Sequence, residues 1–238
     1  WQVIVELKKQ YEVRSVNLDV PVGSDIGVLV VPQPSSLNEK GLRNLHDYIW
    51  SSRPTLLMED PMPMFAGPQF GSSQPKTPKR PTMPGQRQGQ PEPKPDLTPL
   101  LTGLGIHMPL DQILWSDFNP SNQFRNVWPR NLVWSFRSKQ GISEAGFLNG
   151  IDTLLFPWPG RLAKAANAPS ELKITPLALA TNGSAWGQHA YEDFVDRGMF
   201  GSQIKQPDRY IPKEAPQPTV ALEITGKMKN MYGPTTPN

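Results

Sequence analysis

An α/β fold built around a parallel sheet is the class this sequence predicts, and three consecutive features of residues 26–61 carry that prediction. The run IGVLVV, Ile26 to Val31, is apolar and mostly β-branched, the composition of a strand buried on both faces, as in parallel sheets. Between Asn38 and Ser51, Leu42, Leu45 and Ile49 recur at helical spacing. Thr55 to Met58 then form a short apolar strand that stops on Glu59-Asp60-Pro61. Strand, helix and strand at this length make a crossover, so the two strands are expected to run parallel with a right-handed connection. Their carboxyl ends, Pro32-Gln33 and Glu59-Asp60, then share the sheet edge where open α/β folds bind ligands.

Each element has a local cause. Val3, Ile4 and Leu7 line one helical stripe in the first ten residues, and the alternation of Val13, Ser15 and Val16 within Tyr11 to Leu18 suits a short strand. Pro21, Gly23 and Asp25 make a turn before the buried strand. Pro32 and Pro34 end that strand because neither donates to a ladder. Ser35 or Ser36 is placed to cap the following helix, and Pro54 closes it. From 61 to 95 the composition turns to Pro, Gly, Gln and Lys, which buries too little apolar surface to offset ordering entropy and predicts an exposed loop or linker. A helix is expected after Asp96, with Leu97, Leu100, Leu101 and Leu104 as its apolar face and Gly105 as its stop. Strands are expected at Gln112–Trp115, Leu132–Phe136, Thr153–Phe156, Leu172–Ala180 and Thr219–Ile224. The chain thus divides into residues 1–60, the first part of the α/β domain; 61–95, the Pro-rich segment; and 96–238, the remainder with a β-rich, aromatic-rich elaboration.

Composition narrows the function. The 238 residues carry no cysteine, which removes disulfides, thiolate catalysis and Cys-based zinc sites. No apolar run is long enough to span a bilayer. WQVIVELKKQ lacks the basic start and apolar centre of a secretory signal and reads as the middle of a helix, so the chain is expected to begin inside a larger protein. The net charge is +3, and Lys76, Lys79, Arg80, Arg87 and Lys94 concentrate the basic residues in one stretch without aromatics, which argues against nucleic acid as a partner. There is no Gly-x-x-x-x-Gly-Lys-Ser/Thr loop and no Gly-x-Gly-x-x-Gly turn, so neither an ATPase nor a dinucleotide fingerprint is present and no cofactor is implied.

Candidate chemistry is sparse. His46 reads as a surface or boundary residue on its helix, and His107 as loop polarity. His189 is the richer position, with Trp186, Gln188, Glu192 and Asp193 within two helical turns and Ser184 upstream. A His189/Asp193 pair at i,i+4 supplies two of the ligands a metal needs, and Ser184 with His189 suggests a nucleophile and base. Helix capping by Ser184 with ordinary packing is the plainer reading, because two ligands are not a site and no Gly-x-Ser-x-Gly elbow occurs. Glu59 and Asp60 are adjacent acids whose side chains diverge on a strand end, which suits loop capping better than paired catalysis. Trp115, Phe118, Phe124, Trp128, Trp134, Phe156, Trp158 and Trp186 crowd the region from 115 to 190, amid Asn, Asp and Arg. Aromatic faces with planar polar neighbours suit a glycan, although at least half of these rings are needed for a core.

Taken in order, WQVIVELKKQYEV, VLVVPQP, LNEKGLRNLHDYI and LLMEDP, followed by LLTGLGI, ITPLALAT and VALEITGK, resemble the soluble domain of the auxiliary ABC-transporter proteins. That family includes the gliding-motility GldG group and is related to a domain of an intraflagellar transport protein. The resemblance implies a three-layer α/β/α sandwich with a mostly parallel sheet, like class I glutamine amidotransferases. Its opening strand would be missing, since the chain starts at Trp1. Ser51-Ser52-Arg53 stands where the family usually has a glycine pair. The resemblance further implies a non-enzymatic, extracytoplasmic domain anchored by membrane segments outside this chain, beside an ABC permease and ATPase. It brings no catalytic set. Pro32, Gln33, Glu59 and Asp60 are therefore the expected contact residues; the alternative is a carbohydrate-binding module using Trp128 and Trp158.

Overall fold

A computed structural model describes residues 2–63, 66–67, 70–76, 92–122, 129–198, 201–205, 207, 209–212 and 217–233. Helix α1 spans Gln2–Leu7, strand β1 Leu29–Pro32, helix α2 Glu39–Trp50 and strand β2 Thr55–Met58. The predicted crossover is present: β1 and β2 pair in parallel, Leu29 with Thr55 through Pro32 with Met58. Asn38 rather than Ser35 or Ser36 caps α2, its Oδ1 accepting from Gly41 N at 2.7 Å. The helix turns Leu42, Leu45, His46 and Tyr48 inward, so its stripe lies against Leu29 and Val31 of β1. Leu97, Leu100, Leu104 and Met228 complete this core, with helix α3, Thr98–Gly103, supplying the second wall. Asp96 Oδ1 accepts from Thr98 N at 2.8 Å, and Gly105 beyond the helix takes φ 67°, as a helix stop requires.

The Ser-Ser-Arg-Pro junction after α2 has a structural role. Ser52 takes φ 62°, the left-handed conformation that glycine adopts without penalty. Arg53 lies 4.0 Å over the Tyr48 ring and donates to the carbonyls of Val22, Gly23 and Ile26, fastening the preceding turn to the helix end. Ser52→Gly is expected to raise stability by about 0.5–1 kcal/mol, since relief of left-handed strain exceeds the added backbone entropy. Urea unfolding with an unchanged m-value checks it.

The remaining strands are β3 Ile106–His107, β4 Gln112–Ser116, β5 Leu132–Phe136, β6 Thr153–Pro157, β7 Ala163–Lys164, β8 Lys173–Leu179, β9 Trp186–Ala190, β10 Val195–Gly198, β11 Gly201–Ile204 and β12 Thr219–Thr225. All pair antiparallel: β3 with β7, β4 with β9, β5 with β6, β8 with β12 and β10 with β11. The expected three-layer sandwich on a mostly parallel sheet is therefore incorrect. Among the described residues the strands form two-stranded sheets, and β1–β2 is the sole parallel pair. A parallel neighbour needs a crossover of a dozen residues or more, usually a helix, and no α-helix lies between β4 and β12 among the described residues. With no larger sheet among the described residues, a sheet lacking its first strand is not what the chain forms there.

Two further readings change. Tyr11 to Leu18 forms no strand; side chains of α2 and its cap hold the end of this stretch, Asn44 Nδ2 donating to Leu18 O at 2.8 Å and Asn38 Nδ2 to Asp19 Oδ1 at 2.6 Å. The stretch around His189 is strand β9 followed by a 3-10 turn at Tyr191–Asp193, not a helix. Strand β4 explains why: Ile113 and Leu114 face opposite ways into two separate cores, and β9 pairs along it to bury both. Asn182, between β8 and β9, fastens that connection to β5, accepting from Trp134 N at 3.0 Å and donating to Leu132 O at 3.1 Å.

Candidate functional site

The carboxyl edge of β1–β2 gathers four of the sequence-predicted residues. Gln33 N donates to Met58 O at 2.6 Å, which extends the pairing one step past Pro32. Gln33 then turns left-handed, φ 52° and ψ 61°, and its amide crosses over the end of β2. Its Nε2 lies 3.1 Å from Glu59 Oε1 and 2.9 Å from Asp60 O, while its Oε1 accepts from Asp60 N at 3.2 Å. Glu59 Oε2 accepts from Ser35 N at 3.0 Å. Asp60 faces away, its Oδ1 accepting from Met62 N at 2.9 Å, so the two acids diverge as strand alternation requires. Pro32 sits on the exposed side of β1.

Sequence reasoning missed the groups that close this edge. Ser72, buried, donates to Glu59 Oε1 or to Asp60 O, the latter at 2.9 Å. Lys94 Nζ donates to Gly71 O at 2.7 Å and Phe70 O at 2.9 Å, and reaches Ser35 Oγ at 3.4 Å. Both residues belong to the Pro-rich segment, whose described flanks are packed here and joined by Lys76 N donating to Glu92 O at 2.7 Å; residues 77–91 lie outside the described residues. The one signal was FGSSQ, a short break in the proline pattern.

Burial dominates the electrostatics. It pushes the Asp60 carboxyl up to about 6, with the Glu59 charge adding to the rise and the Met62 amide opposing it. Lys94 is drawn below its ordinary value by burial and by Lys76, against the attraction of Glu59. The edge is thus a closed clamp whose donors and acceptors face one another.

Beside the clamp lies an apolar surface. Strand β1 buries Leu29 and Val31 on α2 and turns Val30 outward, 38% exposed, next to Val28; β2 turns out Leu56, 52% exposed, and Met58. Val30 pairs with Leu56 and Pro32 with Met58, so these residues form one face of the sheet.

The other candidates lie elsewhere. His46 is buried, not on the surface as expected, because its ring fits between Asp47 Oδ1, 3.1 Å from Nδ1, and Met231 N, 3.3 Å from Nε2, with Tyr232 edge-on. His107 is exposed on β3. His189 Nδ1 lies 3.4 Å from Asp193 Oδ2, while Ser184 Oγ donates to Asp117 at 2.9 Å, so base and hydroxyl have different partners. Asp117 also accepts from Ser184 N and Ala185 N, and these bonds hold its carboxyl below the usual range against the opposing effect of burial. Among the described residues no three His, Cys, Asp or Glu side chains gather as a metal would need. Trp158 is buried in the core with Ile113, Tyr191 and Phe194, so its ring faces side chains rather than solvent. Trp115 is buried as well, whereas Trp128 and Phe124 lie outside the described residues.

Comparison with protein families adds the deciding fact. The family described as an ABC-type uncharacterized transport system matches residues 1–237. The chain belongs to this family. It is thus an auxiliary component of an ABC transport system, and its expected partners are transporter subunits. Comparison with curated proteins returns no match, and neither does comparison with solved structures. Among the described residues no helix is long and apolar enough to cross a membrane.

Proposed function

We infer that this auxiliary domain works by contact rather than catalysis, docking on the permease or ATPase subunits of its transporter. The exposed apolar face of Val28, Val30, Leu56 and Met58 carries the reading. A parallel pair is ordinarily covered on both sides, and here α2 covers one side only. The clamp next to it has inward-facing bonds that engage its Ser72 hydroxyl and Lys94 amine, which suits recognition better than turnover. ATP hydrolysis then falls to another subunit, since this chain has no phosphate-binding loop. We place the domain on the extracytoplasmic side, anchored by segments outside this chain as in the gliding-motility GldG group.

Cross-linking of the full-length protein in its native membranes, followed by mass spectrometry, tests this. Permease and ATPase subunits are expected in stoichiometric yield, and Val30→Asp with Leu56→Asp is expected to lower that yield at least tenfold. Equal recovery with the double variant removes the apolar face from the reading. Cell-envelope glycan in place of a transporter overturns it.

A further inference from the structure

The segment that covers the carboxyl edge is held almost wholly by polar contacts. Of residues 70–76, Gly71, Ser72 and Gln74 are buried, and the large apolar side chain, Phe70, is 42% exposed. Its grip comes from Ser72 on Glu59 and on Asp60 O, and from Lys94 on Phe70 O, Gly71 O and Ser35 Oγ. Gln33 Nε2 lies within 3.4 Å of Ser35 Oγ and Phe70 O and 3.3 Å of Ser72 Oγ, besides Glu59 and Asp60. An amide has two hydrogens for these five acceptors, so it cannot serve all of them fully at once. Intramolecular hydrogen bonds trade against bonds to water and contribute little net energy, whereas the apolar core under β1 and β2 has no such alternative. A segment held in this way opens below the energy of global unfolding.

We propose that residues 70–76 and Lys94 form a latch over the carboxyl edge of the β1–β2 sheet, which opens as a unit separate from the core and uncovers Gln33, Glu59 and Asp60. Its service as a guard over a partner contact rests on the function proposed above; the latch itself is testable on the chain alone. The charged groups bearing on it are Glu59, Asp60, Lys94 and Lys76. Opening frees Glu59 Oε1 and Asp60 O from Ser72, while the Asp60 carboxyl, turned away toward Met62 N, keeps its own partner.

Amide hydrogen exchange of the whole chain, corrected for the intrinsic pH dependence, provides the test. Phe70, Gln74 and Lys76 of the latch each donate a backbone hydrogen bond, to Gly67, Gly71 and Glu92, and so report on it. Their exchange is expected to be faster than that of residues 29–58, and to rise at least tenfold in Lys94→Met with 29–58 unchanged. Exchange of the latch at the same rate as 29–58, or loss of protection in both segments together in Lys94→Met, shows that no separate unit exists. No partner enters the measurement, so its failure is distinguishable from failure of the transporter reading.

Discussion

An aspartate at Val31 is expected to unfold the N-terminal core, while the same residue one position earlier, at Val30, leaves it standing. Val31 is 5% exposed and packs with Leu42, Leu45 and Tyr48, so Val31→Asp exchanges a buried branched side chain for a carboxylate with no cation to meet it. Lost burial and the stranded charge together are expected to remove about 4 kcal/mol or more, a large part of the stability of a typical domain. Val30 points the other way, toward solvent, and Val30→Asp is expected to shift stability by under about 1 kcal/mol. Urea unfolding of both variants measures the contrast. A similar loss at both positions means that the outer face is covered within the chain, and the docking surface is then withdrawn. Together with the cross-linking yield, the pair separates a residue that holds the fold from one that meets a partner.

Asp60→Asn is expected to make the protein more stable at neutral pH. The folded chain holds this carboxyl at about 6 against an ordinary 3.8, chiefly by burial, so it binds the proton more tightly than the unfolded chain does. The favourable contribution is complete below 3.8 and is lost as pH rises through about 6. Above that range the buried charge costs up to about 3 kcal/mol, from a little over two pKa units at 1.36 kcal/mol each. Asparagine keeps an oxygen for the Met62 amide and carries no charge, so the variant is expected to gain about 2–3 kcal/mol at pH 7. At pH 4 the gain is expected to shrink to near zero. Unfolding midpoints of the two chains at both pH values check it; an equal difference at each shows that Asp60 is not the titrating group.

Local organisation was legible where one segment carries its own pattern. Leu42, Leu45 and Ile49 mark α2, and Thr55–Met58 and Leu132–Phe136 occupy the spans expected of them, because a short apolar run between breakers has few ways to satisfy its backbone. The parallel pairing of β1 with β2 followed from the length between them. His189 misled because Trp186, His189 and Asp193 fit helical spacing as well as they fit a strand followed by a turn. Pairing with β4 decided between the two, and that partner lies some seventy residues away.

The candidate site divides in the same way. Gln33, Glu59 and Asp60 were found because a crossover places both strand ends on one edge. Ser72 and Lys94 were not, since their roles rest on where a proline-rich segment returns, and composition carries no record of return. From the resemblance, a parallel sheet was carried past the one crossover that supports it, although among the described residues no later pair of strands has an α-helix between them. What the sequence determined by itself was the family, the β1–α2–β2 unit and most strand positions, all of which depend on residues close together in the chain. The tertiary structure alone decided which strands pair, which tryptophans are core and which segment closes the edge, because each of those is settled by contacts between distant residues competing for the same buried space.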